Sequence, residues 1–363
     1  MRDSQGVRGR GFPLKAVDRK AATIADVAKL AGVSPMTVSR VVNREMNVRP
    51  ETKQRVDAAL ASLHYRPNHA ARHLAGARQL RIGVLYSNPS AGYLNEFLVG
   101  LLNKAFPAHL QLVVQKCDAE HHGRDMVERL LANGVDGLIL PPPFCDSLPL
   151  IDQIVAGKVP AVAVASGRPD ARLCAVSIDD RRAAHEMTTY LLGQGHRRIG
   201  FIVGHPNQTA SESRLGGFRD AMAQAGLPVD EGLVVPGMFT YRSGLEAAQA
   251  LLSQTPRPSA VFASNDDMAA ATVAIAHRMK LEVPGDLTVV GFDDAALATT
   301  IWPELTTVRQ PIVAMAEAAI DLLVRQIPAS GDGAASDCEH VLMDFSLVHR
   351  QSDAPPGAPA LPA

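Results

Sequence analysis

The chain has 363 residues, which suggests two or three domains and allows a large core without disulfide staples. Apolar residues make up 47% and charged residues 20%, which excludes a disordered or collagen-like chain, and no apolar run reaches the roughly 18 residues of a membrane span. The net charge of −1 conceals an asymmetry: residues 1–81 carry 16 Lys and Arg against 6 Asp and Glu, and the remainder carries 20 against 31. A basic head on an acidic body points to a polyanion as the partner of the head alone.

Residues 1–22 are basic with no apolar stretch behind them, so they do not read as a secretory signal and are expected to lack order. Thr23 then reads as an N-cap, with Ile24, Val27, Ala28 and Ala31 on one helical face. Gly32 interrupts, Ser34 caps a second helix, and Pro35 sits at its first position, where a missing N–H is harmless. That helix turns Val38, Val41 and Val42 inward and leaves Met36, Thr37, Ser39, Arg40 and Asn43 outside. A third helix from Pro50 to Leu63 buries Val56, Ala59, Leu60 and Leu63. Two short helices about a glycine turn form a helix-turn-helix, and small polar groups with one Arg suit base edges and phosphates.

The string TIADVAKLAGVSPMTVSRVVN, followed by HYRPNHAARHLAG, resembles the DNA-binding head and hinge of the LacI/GalR family of bacterial transcription regulators. The match is nearly residue for residue over Thr23–Gly76 and continues more loosely to Arg350. The resemblance implies that Pro35, Met36 and Arg40 touch base edges, with Thr23, Ser34, Thr37, Ser39 and Asn43 as phosphate or positioning contacts. It also implies a hinge helix from Asn68 to Ala75, with Ala71 and Leu74 in the minor groove and Leu74 as the wedge between base steps.

Beyond the head, β-branched apolar runs at Ile82–Leu85, Leu110–Val114, Gly137–Leu140 and Ala161–Ala165 alternate with helical patterns. A second series runs from Ala175–Ile178 through Ile199–Val203, Leu233–Val235, Ala260–Ala263 and Leu287–Phe292. This alternation predicts parallel sheets covered on both faces, in two lobes with a crevice between them. The fold class is thus an all-α helix-turn-helix head plus an α/β sensor domain of two doubly wound parallel sheets. The sensor resembles the periplasmic binding proteins, which implies three crossings between lobes, placed near Ile178–Asp180, near Thr307–Gln310 and after Gln326. The expected domains are a head at 23–67, a hinge helix and linker at 68–79, and a sensor at 80–350. Within the sensor, one lobe takes 80–178 and 309–326 and the other 179–307 and 340–350. The Pro- and Ala-rich tail 351–363 reads as disordered and lacks any leucine heptad. A homodimer is expected, paired through the helix around Tyr93–Leu102 with Leu94, Phe97, Leu98, Leu101 and Leu102.

Ligands of such sheets bind beyond the carboxyl ends of the strands. Five residues stand there: Tyr86, Arg214, Phe239, Asn265 and Asp293. Arg, Asn, Asp and an aromatic ring converging on one cleft describe a sugar or polyol site, and Arg214 and Phe239 resemble the family's hydroxyl-binding arginine and stacking aromatic. Ala165 and Ser166 stand where many sugar-responsive members carry an acid or an aromatic, which argues against a simple monosaccharide. Tyr93 and Phe97, at i and i+4, read as lobe or dimer core. The doublets Asp179-Asp180, Asp266-Asp267 and Asp293-Asp294 read as one cap and one solvated acid each rather than as glycosidase pairs. Four cysteines at least 28 positions apart form neither a disulfide framework nor a zinc site, and no nucleotide-binding or hydrolase motif is present. The reading is a cytoplasmic, nucleoid-associated DNA-binding regulator without cofactor, a homodimer on a pseudo-palindromic operator, controlled by a small polar effector. The alternative is a sugar-binding module with no regulatory role.

Overall fold

The computed structural model describes residues 23–42, 49–63, 79–87, 90–117, 123–327 and 338–357. Two compact units result, Met1–Arg78 and Gln79–Ala363. Residues 1–22, Asn43 and the hinge segment with Asn68, Ala71 and Leu74 lie outside the described residues.

The head consists of α1 (Ile24–Ala31), α2 (Pro35–Val42) and α3 (Pro50–Ser62). Thr23 opens α1 with a capping box: its hydroxyl accepts from the Asp26 amide at 3.3 Å, and the Asp26 carboxylate accepts from the Thr23 amide at 2.8 Å. Gly32, at φ 65°, ends α1 in the left-handed region, as the turn requires. The Ser34 hydroxyl accepts from the Thr37 amide at 3.2 Å to open α2. Val27, Val38 and Val56 are fully buried between the three helices, with Ala28, Ala31, Val41 and Ala59 around them.

The second unit has two six-stranded sheets. The first comprises β1 (Arg81–Tyr86), β2 (Gln111–Lys116), β3 (Gly137–Leu140), β4 (Ala161–Val164), β5 (Cys174–Ile178) and β11 (His340–Met343), ordered β11-β5-β4-β3-β1-β2. The second comprises β6 (Ile199–Ile202), β7 (Val234–Val235), β8 (Ala260–Ala263), β9 (Thr288–Asp293), β10 (Thr306–Arg309) and β12 (Ser346–Val348), ordered β12-β10-β9-β8-β6-β7. All pairs are parallel except β10 with β12. Buried runs such as Leu138–Leu140 and Val261–Ala263 show why the central strands read as continuous apolar segments. The first lobe is flanked by α4 (Ala91–Ala105), α5 (Gly123–Ala132), α6 (Leu148–Ala156) and α11 (Ile312–Gln326). The second is flanked by α7 (Asp180–Gly193), α8 (Thr209–Gln224), α9 (Tyr241–Leu252) and α10 (Asp266–Arg278).

The strand at Ala175–Ile178, which heads the second apolar series, lies in the first sheet between β4 and β11, inside the 80–178 segment expected for the first lobe. Three expectations need correction. Residues 340–343, expected in the second lobe, pair with β5 in the first, so the last crossing falls at Asp344–Phe345. Strands β11 and β12 are short and half-exposed and β10 carries Thr306 and Thr307, so none of the three gives the buried apolar run of the central strands. The tail is also ordered as far as Gly357: the Ser352 hydroxyl donates to the Val289 carbonyl at 2.5 Å, and the Asp353 carboxylate accepts from the Tyr190 hydroxyl at 2.5 Å. Proline prevents helix there but not a bonded extended strap. On α4, Phe97 and Leu101 are fully buried within the chain, while Val99, Leu102 and Phe106 are exposed. Of the surface expected for pairing, Leu102 is exposed and Leu94 and Leu98 are half-buried, while Phe97 and Leu101 are taken up by the lobe's own core.

Candidate functional site

The cleft lies beyond the carboxyl ends of both sheets. At its centre is Arg214, on α8 and 5% exposed. Its Nε donates to Asp180 Oδ1 at 2.7 Å, and its Nη1 donates to the Ser264 carbonyl at 2.6 Å and lies 3.8 Å from Asp293 Oδ1. The guanidinium sits 3.6 Å from the centroid of the Phe292 ring and 5.8 Å from that of Phe239. A buried cation is tolerated because charge, hydrogen bonds and aromatic faces surround it.

Asp293 ends β9 at φ 110° and is followed by Asp294 at φ 57°, so two adjacent non-glycine residues occupy the left-handed half of backbone space. That turn aims the Asp293 carboxylate at the cleft, where Oδ1 accepts from Gln310 Nε2 at 2.6 Å. Burial raises the Asp293 carboxyl to about 7, against the opposing pull of Arg214. Burial also raises Asp180, despite its bond to Arg214, and raises Asp266 well above the usual carboxylate range, with Asp293 adding to the effect. Asp266 accepts from the Thr307 hydroxyl at 2.7 Å and from the Ala295 amide at 2.8 Å. Asp179 is a cap as expected, but Asp180, Asp266 and Asp293 are buried and partnered rather than solvated, and the Asp294 side chain is likewise covered, paired with Arg309 and Arg350.

Asn265 caps α10: its Oδ1 accepts from the Met268 amide at 3.0 Å, and its Nδ2 donates to the Phe239 carbonyl at 3.1 Å. Phe239 itself is left-handed, at φ 57°. A Cβ on Gly204 would overlap its ring, so glycine there lets the aromatic lie flat on the backbone. Between these groups a cavity of about 30 Å³ remains.

Four of the five expected residues, Arg214, Phe239, Asn265 and Asp293, line this cavity. Tyr86 does not. It ends β1 half-buried, and the first lobe reaches the cavity instead through Ser90, Tyr93, Pro142 and Ala165. The i,i+4 spacing places Tyr93 in the core, and it does stack on Phe97 with centroids 6.1 Å apart. Its hydroxyl nevertheless faces the cavity buried and without a hydrogen-bond partner, and burial pushes its pKa well above 10.0. Gln310, at the second crossing, likewise presents a buried Oε1 with no partner. The i,i+4 spacing of two aromatics gave the packing of Tyr93 but not its polar end. In the head, Pro35, Met36 and Arg40 lie on the exposed face of α2, with Met36 66% exposed, and Thr23 and Ser34 are exposed at the helix starts. Thr37 is half-buried, and Ser39 lies within α2. Among the described residues no group of three or more His, Cys, Asp or Glu is placed to hold a metal, and no helix is long and apolar enough to cross a membrane.

A helix-turn-helix unit followed by a two-lobed α/β domain with a polar cavity between its lobes defines a DNA-binding regulator that answers to a small molecule. Comparison with known proteins agrees over about nine tenths of the chain. Residues 23–68 match the model for bacterial regulatory proteins of the lacI family, and residues 188–352 match that for a periplasmic binding protein-like domain. The chain is 33% identical over 336 residues to the HTH-type transcriptional regulator DegA of Bacillus subtilis (strain 168), covering 92% of this chain and 98% of that one. Among solved structures it is similar to the transcriptional regulator CelR–cellobiose complex, with a TM-score of 0.69 and 30% identity over 91% of this chain and 99% of that one. It is also similar to the lac repressor dimer bound to operator and the anti-inducer ONPF, with a TM-score of 0.75 and 27% identity over 92% of this chain and all of that one. The chain belongs to the lacI family of bacterial regulatory proteins, and it is a transcriptional regulator rather than an enzyme or a stand-alone sugar-binding module.

Proposed function

We propose that the protein is a cytoplasmic, nucleoid-associated repressor that binds a pseudo-palindromic operator as a homodimer and releases or tightens on it when a sugar or sugar derivative occupies the cleft. The observation that carries the effector site is the buried Arg214, Asp180 and Asp293 cluster facing an interlobe cavity. One guanidinium is matched there by two carboxylates, which suits a neutral, hydroxyl-bearing ligand and disfavours an anionic one. CelR in complex with cellobiose supports a sugar, and the lac repressor dimer on its operator supports both DNA and two-fold assembly. On the DNA side, Pro35, Met36 and Arg40 read base edges, while Thr23, Ser34, Thr37, Ser39 and Asn43 hold phosphates. The segment from Asn68 to Ala75 orders as the hinge helix on DNA, with Ala71 and Leu74 in the minor groove.

The test is a gel shift with the full chain, on sites enriched from random-sequence duplex, titrated with a panel of neutral sugars, sugar phosphates and nucleobases. A neutral sugar should shift operator affinity by about 5–150-fold, the usual range of allosteric coupling. An effect confined to phosphates or nucleobases contradicts the effector reading. Arg40→Ala should weaken specific binding by roughly 1–3 kcal/mol, the value of a good base contact. Leu74→Ala should lower specific but not non-specific affinity, and unchanged operator binding removes the wedge.

A further inference from the structure

The helix that carries Arg214 has no cap of its own. Gln208 stands at the N-cap of α8 in an extended conformation, and its side chain makes no capping hydrogen bond. The α8 terminus is bonded across the cleft instead. Asp146, which ends a short turn of the first lobe, accepts from the Thr209 amide through Oδ2 at 2.8 Å and from the Thr209 hydroxyl through Oδ1 at 2.8 Å. Ser166, beyond the end of β4, donates its hydroxyl to the same Oδ1 at 2.6 Å. The Arg168 amide closes the set, lying 3.2 Å from Ser166 Oγ and 3.1 Å from Thr209 Oγ1. At Gly167 the lobes meet backbone to backbone: a Cβ there would stand 2.7 Å from the amide nitrogen and Cα of Ala210.

We propose that Asp146, with Ser166 and Thr209, is an interlobe latch: a positioning residue that caps α8 from the opposite lobe, holds the cleft shut, and must let go for a ligand to reach Arg214. Three observations converge on it. A carboxylate at a helix N-terminus answers both the orphaned amides and the helix dipole, so the contact favours the closed lobes over parted ones. The bonded helix bears the central residue of the cavity, one and a half turns further along. The cavity of about 30 Å³ is too small for a sugar ring, so admission requires the lobes to move. The neighbouring Arg168–Glu212 pair at 3.1 Å also spans the cleft, but both side chains are 71% exposed and their attraction is screened by water. The latch regulates the cleft in which the effector is proposed to bind, and so rests on that reading, but its test needs no effector.

Hydrogen exchange of the ligand-free full chain reads the latch from both sides, because the Thr209 and Arg168 amides lie on opposite lobes. Asp146→Asn should speed exchange of both segments, 166–168 and 209–212, by about tenfold, the signature of local opening. Adding Gln208→Ser supplies a cap within the helix, which should restore protection at 209–212 but leave 166–168 fast. Faster exchange at 209–212 alone makes Asp146 a cap and overturns the latch, as does unchanged exchange at both. Thr209→Val removes one hydroxyl at constant shape and should reproduce the two-sided loss in milder form if Asp146→Asn does not fold. Protection at 166–168 retained in Thr209→Val also overturns it. A latch confirmed by exchange alongside a failed sugar panel would reject the effector class and not the latch.

Discussion

In the first lobe the strands run β11-β5-β4-β3-β1-β2, and in the second β12-β10-β9-β8-β6-β7, one strand order used twice, with the last strand parallel in the first lobe and antiparallel in the second. The cavity walls that grow from it are unlike. The second lobe contributes Arg214, Asp293 and Asn265, each partnered inside that lobe or by Gln310 at the crossing. The first lobe contributes Ser90, Tyr93, Pro142 and Ala165, with no charge among them and a tyrosine hydroxyl that has no partner. Both walls use left-handed backbone, at Ala165 in the first and at Phe239, Asp293 and Asp294 in the second, but the charges gather in the second while the first holds the Tyr93 hydroxyl in reserve. Stability and recognition should therefore separate: removing a charge from the second wall disturbs both, and removing the unpartnered Tyr93 hydroxyl from the first disturbs recognition alone.

The sharpest break is Arg214→Ala. It leaves Asp180 and Asp293 buried without their cation, which costs roughly 3–5 kcal/mol of stability by the usual penalty for half a buried ion pair. Urea denaturation should show it, together with loss of the effector response in the gel shift. Wild-type stability in this variant would mean that the second wall is not a coupled network.

Asp293→Asn tests the same network through pH. The folded-state value of about 7 lies above the ordinary 3.8, so the folded chain holds a proton that the unfolded chain releases between those values. The contribution of this carboxyl is then fully present below pH 4 and is lost as pH rises toward 7, by a few kcal/mol at most. Asp266 is raised mainly by its own burial, which the variant keeps, and the substitution removes only the added push of the Asp293 charge, so the Asp293 carboxyl dominates the difference. The stability of the variant relative to wild type should therefore rise between pH 4 and 7 and level off above it. A flat difference removes Asp293 as the titrating group.

Gly204→Ala should cost roughly 1–3 kcal/mol, the range for overpacking, because the new methyl meets the Phe239 ring. The ring must then tilt toward the cavity, so effector affinity should fall with it. Thermal melting and effector titration should move together, and a change in one alone separates the aromatic from the site.

How far these walls were legible in the sequence follows from the same asymmetry. The head was readable because 3.6-residue periodicity and caps at Thr23, Gly32 and Ser34 are local signals. Arg214, Asn265 and Asp293 were readable because they stand at strand ends or helix starts next to apolar runs. Asp146, Asp180 and Gln310 were not: their partners lie 63, 34 and 17 residues away, and only the folded topology brings them together. The bonded strap at Ser352 and Asp353 was missed because a proline-rich composition reports the absence of helix, not the absence of contacts.

Tyr93→Phe is the mildest change and the one that isolates the first wall. The ring keeps its stack on Phe97 and its place in the core, and the hydroxyl gives up no bond to protein. Removing a buried polar group that has no partner is close to neutral, within about 0.5 kcal/mol, or slightly stabilising, because its desolvation is no longer uncompensated. A ligand hydroxyl that pairs with it gains about 0.5–1.5 kcal/mol, so its loss should raise the half-saturating concentration of the active sugar by about two- to tenfold. Melting should stay unchanged while the titration shifts. Equal titration curves for wild type and Tyr93→Phe would return Tyr93 to the core and leave recognition to the second wall, whereas a fall in melting temperature would show that the hydroxyl is bonded in the ligand-free protein after all.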